Sequence, residues 1–315
     1  MAATTLGGLD SVSGLLPASY AKQIITKATE QSVVSTLAQQ TPVQLRGTDA
    51  IAVQSGYINA GVVAEGAAKP VGNTDYQVKF IKPIKVASIA IVSKELARLN
   101  PAGVYDNIQQ DLTNAIQRSL DLAVLHGLDA KTGAAITGAN PAVAATTNSV
   151  ELGTSAVAAG GLAQDLITGY NEVVGGDGVF TNFNGFAADP RFRGQLMGAV
   201  DTQGRPIFQQ SVNLAQPVDS VLGLPTAYGR AVSGQIGAST DKNVRAIGGD
   251  WSALRYGFAE EITLSTSTEA TIVDGGTTYN LFQQNMVAIL AEAIFGWVVL
   301  DENAFVKYTV AAPES

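Results

Sequence analysis

The chain has 315 residues, 46% of them hydrophobic and 15% charged, with 33 glycines and no cysteine; this is enough apolar material for a sizeable core, and it excludes wholesale disorder. Nineteen Lys and Arg against 27 Asp and Glu leave a formal charge of -8, which argues against a general polyanion binder, because neutralising phosphates takes clustered cations. The missing cysteines exclude disulfides, thiolate nucleophiles and Cys-ligated zinc or iron–sulfur sites, and the length suits one large domain or two.

Residues 1–16 are small and polar, with Gly7, Gly8, Ser11, Ser13 and Gly14, and read as a mobile N-terminal arm. They lack the basic stretch and apolar block of a signal peptide. Pro17 opens a helical pattern through about Gln40, with Tyr20, Ile24, Ala28, Val33 and Leu37 near one face, and Thr41-Pro42 closes this region, 17–44. Over 45–94 the pattern changes to strands: Ile51 and Val53 alternate with small or polar neighbours, and Tyr76, Val78 and Phe80 do the same. Between them Glu65-Gly66-Ala67-Ala68-Lys69-Pro70-Val71-Gly72-Asn73 has the composition of a loop tip, so the region predicts a protruding hairpin. The returning strand carries Lys79, Lys82 and Lys85. These read first as a solvated face, and second as a docking strip for an acidic surface on a neighbour.

Asn100-Pro101 is a helix start, and Val104 to Asp129 is the clearest helix of the chain: Val104, Ile108, Leu112, Ala115, Ser119, Leu122 and His126 recur at three- and four-residue steps, opposite Gln109, Gln117 and Asp121. At ~1.5 Å per residue this is a rod of roughly 40 Å. Thr132 to Ala159 is rich in Ala, Thr and Gly without periodicity and reads as an irregular connection and a domain boundary. From 160 to 247 the chain reads as a compact mixed unit: helices over Gln164–Val174 and Pro190–Val200, a strand with turns over Val179–Ala187, and short strands or turns at Gly204–Phe208, Leu222–Pro225 and Val244–Ile247. The last part, 248–315, predicts a strand over Ala253–Ser265, a turn at Asp274–Thr277, and a strand over Val287–Leu300 on which Phe295, Trp297 and Val299 share a face. The longest apolar stretch, Met286 to Leu300, is interrupted by Glu292 and Gly296, and no run approaches the roughly 20 apolar residues that span a bilayer. The sequence holds no Asn-x-Ser/Thr sequon, and a soluble intracellular chain is the expectation.

Chemistry is hard to find. With one histidine and no cysteine, His126 is the single candidate for a Ser-His-Asp site, and on an apolar helical face it reads as a packed core residue. Gly175-Gly176-Asp177-Gly178 and Gly248-Gly249-Asp250 lack the spacing that wraps a phosphate and read as turns. Glu260-Glu261 would point to opposite faces of a strand, and Asp301-Glu302 reads as solvated surface. No catalytic set, cofactor site or metal site is expected.

The order of parts, a flexible arm, short helix, protruding hairpin, long helix, irregular crossover, compact mixed unit and terminal long strands, resembles the major capsid protein of tailed bacteriophages, the α+β Hong Kong 97-type fold, over essentially the whole chain. Local phrases carry the resemblance. Val63-Ala64-Glu65-Gly66-Ala67-Ala68-Lys69-Pro70 looks like the tip of the family's extended E-loop. Gly248-Gly249-Asp250-Trp251-Ser252, followed by a strand bearing Tyr256, looks like the return into the peripheral domain. Phe282 to Ala288 through Phe295-Gly296-Trp297 looks like the closing strand. The resemblance implies an E-loop hairpin over 45–94, a peripheral domain with a spine helix and crossover over 95–159, an axial domain over 160–247, and C-terminal strands returning over 248–315. It places Glu65, Gly66, Lys69 and Pro70 at an inter-subunit tip, with Lys79, Lys82 and Lys85 on the basic strand behind it. The family pattern Val-Ala-x-Arg-Ala-Glu-x-Arg-Phe-Gly carries arginines where this chain has Leu290 and Ile294, so Glu292 is expected to have apolar neighbours where the family would offer positive partners for a contact across subunits.

The resemblance further implies a shell of hexamers and pentamers built from copies of this chain in the virion, assembled in the host bacterial cytoplasm. Its partners would be a portal and a scaffolding or cement protein, with double-stranded DNA enclosed without specific binding. Only about sixteen residues precede the first helix, so a fused scaffolding domain is not expected. Some family members weld an E-loop lysine to an asparagine of another subunit; Lys69 stands in such a place, and we read it as an ordinary tip residue. Two alternatives stay open from the sequence: an encapsulin-type nanocompartment shell, told apart by protein cargo, and a soluble α/β enzyme or binding protein, told apart by a pocket and monomeric elution.

Overall fold

The computed structural model describes residues 32–41, 49–54, 56, 58–66, 68–72, 76–100, 103–176, 179–205 and 220–311. The expected arm, the helical pattern before residue 32 and residues 206–208 lie outside the described residues. In chain order, α1 (Val33–Leu37) is followed by β1 (Gln39–Gln40), β2 (Asp49–Gln54), β3 (Tyr76–Ile81) and β4 (Ile84–Ser93), then by α2 (Lys94–Leu99) and α3 (Val104–His126). Next come β5 (Ser149–Glu151), α4 (Gly161–Val174), β6 (Gly185–Ala188), α5 (Pro190–Gly198), β7 (Ser220–Val221), β8 (Leu224–Tyr228) and β9 (Val244–Gly249). The chain ends in β10 (Leu254–Ser267), β11 (Thr271–Asp274), β12 (Thr277–Asn280), β13 (Met286–Val299) and β14 (Phe305–Thr309).

These elements form two compact units, and the chain passes between them inside β4, α3, β10 and β13. The first unit holds Lys85–Gln117 and Glu260–Phe295 of the described residues. Its parts of β10, β13 and β4 are sheet neighbours in that order, and its core is small: Val92, Leu96 and Val287 are buried, with Val104, Tyr105 and Ile108 packed against them. Asn100 serves two helices. In the left-handed conformation, φ 37°, it ends α2, a geometry asparagine tolerates; its Oδ1 then accepts the Tyr105 N–H at 2.9 Å as α3 begins. The expected turn at Asp274–Thr277 joins β11 to β12, with Gly275 and Gly276 at φ 56° and 87°, the pair of positive values that a two-residue hairpin turn demands.

Of the described residues, the second unit holds those within Gln31–Ile84, Arg118–Ala259 and Gly296–Ser315. At its centre is a six-stranded mixed sheet, order β5-β14-β9-β6-β8-β7. On one face Phe186, Ala188, Ala246, Val306 and Tyr308 meet Leu166 and Val173 of α4 and Phe192 and Leu196 of α5 in one buried cluster. Glycine makes this packing possible: a Cβ on Gly169 would stand 2.5 Å from the Tyr308 hydroxyl and 2.7 Å from its ring, and that hydroxyl donates to the Leu166 carbonyl at 2.9 Å. Gly248 is a correction. It was expected in a turn, but Gly248 and Gly249 are strand residues paired with β6 and β14, and the Phe183 and Phe186 rings fill the space of the missing Gly248 side chain. Trp251 packs edge-on to Phe305 at 5.4 Å on the other side, its indole donating to the Gly185 carbonyl at 3.0 Å.

Two further expectations are corrected here. The first helix ends at Leu37, not Gln40, because Gln39 and Gln40 pair in parallel with Arg255 and Tyr256 of β10. Asp121, expected on the outer face of α3, is buried at 4% exposure. The second half of that helix is wrapped on all sides, with Leu120, Leu122, Ala123, Val124 and Leu125 all buried, so no outer face exists there. Asp121 accepts hydrogen bonds from Ser32 Oγ at 2.5 Å and from the Val33 and Val34 N–H groups at 2.9 and 3.2 Å. It thereby satisfies the free donors that open α1.

Candidate assembly surface

The hairpin expected between 45 and 94 exists, with shorter strands than the expectation implied. β2 and β3 pair antiparallel in a two-stranded sheet of their own, from Asp49↔Ile81 to Gln54↔Tyr76. Residues directly opposite each other share a face. Ala50, Ala52 and Gln54 therefore lie with Phe80, Val78 and Tyr76, while Ile51 and Val53 lie with Lys79 and Gln77.

The polarity of these faces is the reverse of a solvated hairpin. Tyr76, Val78 and Phe80 are 66, 55 and 49% exposed, whereas Val53 on the other face is 9% exposed and Ile81 is fully buried. Small Ala50 and Ala52 opposite them do not screen the larger side chains. Beyond the strands, every described side chain from Ile58 to Gly72 is exposed, with Val62 and Val71 fully so. Gly66 turns the tip at φ 80°, next to Glu65. The limbs touch where Pro70 lies against Gly61 and Ile58 against Gly72. Lys69 stands on this exposed stretch.

The three lysines fall on three different segments. Lys79 is half-buried on β3, on the Ile51 face; Lys82 is exposed in the break before Pro83; and Lys85 lies on β4. In the first unit Lys85 Nζ pairs with Glu292 Oε2 at 2.6 Å. The neighbours of Glu292 along β13 are the apolar Leu290 and Ile294, and its cation comes instead from the adjacent strand. The hydrogen bond with Glu292 raises the Lys85 pKa above the ordinary lysine value, with the Glu260 charge adding to it.

Phe295 and Trp297 of the closing strand are both fully buried, so within the monomer they are core. At the hairpin base, Gly296 allows a close approach: a Cβ there would stand 2.7 Å from Ile81 Cγ2 and 3.1 Å from the Lys82 carbonyl oxygen. Asn140, from the stretch read as irregular, donates from Nδ2 to the Phe80 carbonyl at 2.6 Å and to the Trp297 carbonyl at 2.5 Å. Sequence reasoning missed Asn140, since its partners lie 60 and 157 residues away. It also missed Asp121, for which the apolar run around it on α3 is a usable signal.

His126, the lone candidate for nucleophilic chemistry, lies part-buried at the end of α3. Its Nε2 lies 2.8 Å from the Val232 carbonyl, which can only accept, so the neutral ring carries its proton there. Burial holds its pKa below the usual histidine value.

A family model described as the phage capsid family matches residues 13–310. Among curated proteins, the probable major capsid protein gp17 of Mycobacterium phage D29 is 26% identical over 304 residues, covering 94% of this chain and 90% of its own. A solved structure from Gordonia phage Cozz superposes with a TM-score of 0.81 at 36% identity, over 96% of this chain and 94% of that one. A structure titled as the capsid of an empty GTA particle computed with C5 symmetry has the same fold, with a TM-score of 0.67 at 13% identity over 98% of this chain and all of that one.

Proposed function

This chain belongs to the phage capsid family and is a major capsid protein of a tailed bacteriophage, and from that premise we propose that it closes its shell by laying the β2–β3 hairpin of one subunit over the body of the next. The observation that carries the proposal is the apolar face of Tyr76, Val78 and Phe80, each exposed over about half of its surface or more, on a hairpin whose tip adds Val62 and Val71. A two-stranded sheet is marginal by itself in water, and leaving apolar surface wet forgoes about 25 cal/mol per Å². A second copy of the chain covers that face, so the hairpin docks by apolar contact and not by its lysines. The tip residues Glu65, Gly66, Lys69 and Pro70 then reach furthest across the neighbour.

In this reading hexamers and pentamers form from one chain, the compact unit around the six-stranded sheet serves as the axial domain, and the long helix braces the peripheral one. The protein is structural and not an enzyme, its shell is assembled in the host cytoplasm, and a portal and scaffolding or cement proteins complete it. A chain of charge -8 suits a wall that encloses DNA without gripping its phosphates. The relatives are phage capsids, which does not favour the nanocompartment alternative. Size-exclusion chromatography with negative-stain electron microscopy of the purified chain tests the reading. Closed shells, or free pentamers and hexamers, are expected; a clean monomer at every concentration and salt tried overturns it.

A further inference from the structure

We propose that Asn140 is the positioning residue that fixes the direction in which the hairpin departs from the closing strand at its base. Three segments far apart in sequence meet at the hairpin base: Phe80 to Lys82, Asn140-Pro141, and Gly296-Trp297. A side-chain amide has two N–H bonds on one nitrogen, and Asn140 spends one on each strand: Nδ2 donates to the Phe80 carbonyl and to the Trp297 carbonyl, at 2.6 and 2.5 Å. The clasp is returned, since the Trp297 indole N–H donates to the Pro141 carbonyl at 3.0 Å.

Independent packing supports the same placement. Gly296 offers no side chain where Ile81 and the Lys82 carbonyl press against the closing strand, and Ile81 and Trp297 are both fully buried. The hairpin strand ends at Ile81, and Lys82-Pro83 interrupts it before β4. Proline has no N–H to continue a ladder, so this break is where a hinge would act. The amide clasp sits directly beside that break and ties the last hairpin carbonyl but one to a buried strand. Without it, the described hairpin residues left to anchor the ribbon are the buried side chains of Val53 and Ile81, whose apolar packing resists pulling away more than swinging.

The inference concerns the monomer's hairpin, and its consequence for assembly rests on the docking reading above. The test is hydrogen–deuterium exchange on the full-length unassembled chain and its Asn140→Ala and Asn140→Asp variants, followed by an assembly assay. Exchange over Tyr76–Ile81 should rise about tenfold or more in Asn140→Ala, and further in Asn140→Asp, whose carboxylate faces two carbonyl oxygens. Exchange in β6, β9 and β14 should stay unchanged. On acidification the Asp variant should recover part of its protection, as a protonated carboxyl regains one donor, while the Ala variant should not. Unchanged exchange over Tyr76–Ile81, or an equal rise throughout the six-stranded sheet, overturns the proposal. Should Asn140→Ala not fold, Asn140→Ser, which keeps one donor, is read by the same criteria. A wild-type chain that never assembles counts against the docking reading and leaves the exchange result standing by itself.

Discussion

At the residue scale, the second unit depends on polar side chains buried where the sequence put none. Asp121→Ala strands the Ser32 hydroxyl and two N–H groups at the start of α1; with a helix cap lost and buried donors unpaired, the expected cost is about 2–4 kcal/mol. Thermal denaturation of the unassembled chain reads this, and a change of ~0.5 kcal/mol or less, the size of a surface substitution, would mean that the network is incidental. His126 carries a pH prediction. Burial lowers its pKa in the fold, opposed by the Val232 carbonyl and helped by the Lys242 charge. The unfolded chain therefore takes up the proton first, as pH falls past the ordinary value of about 6.5. Stability present above that pH is lost as the pH drops towards the lower folded value. Melting curves between pH 7.5 and 5 should fall more steeply for the wild type than for His126→Gln, whose amide can still donate to Val232; parallel curves would sink the idea.

At the element scale, the hairpin is the case in which periodicity was right about the element and silent about its environment. Alternation in Ile51 and Val53, and in Tyr76, Val78 and Phe80, specifies two strands, yet β pairing puts the two apolar sets on opposite faces of one ribbon. One face meets the body through Val53 and Ile81, and the other stays exposed. This asymmetry gives a prediction with an internal control. Val78→Glu or Phe80→Glu should leave a folded, soluble chain that assembles at least tenfold less well by particle yield, because a charge would be buried without a partner. Gln77→Glu, on the other face of the same strand, should assemble nearly normally. Equal loss in both, or in neither, would mean that the apolar face does not dock. The long helix shows the opposite limit: its existence and start were legible from three- and four-residue steps and from Asn100, but Asp121 fell on the wrong side because its last turns have no outside.

At the scale of the whole molecule, the acidic balance and the sparse chemistry are consistent with a protein whose work is contact with its own copies. Such contacts can be covalent or not, and Lys69 on the exposed tip decides where to look. Denaturing electrophoresis of assembled particles should give a single band near 32.5 kDa; a ladder of multimers that disappears in Lys69→Arg would overturn the reading of Lys69 as an ordinary tip residue.

By itself the sequence determined most of the described helices and strands and the absence of cysteine chemistry, because these follow from local periodicity, capping residues and composition, while the class of fold was legible in it only through the resemblance to a known family. Only the tertiary structure decided which face of the hairpin is left wet, which cation answers Glu292, why Gly248 and Gly296 must be glycines, and what Asn140 and Asp121 hold together. Those outcomes depend on contacts between residues tens to more than a hundred positions apart, and a one-dimensional pattern carries no record of which distant strand will arrive alongside.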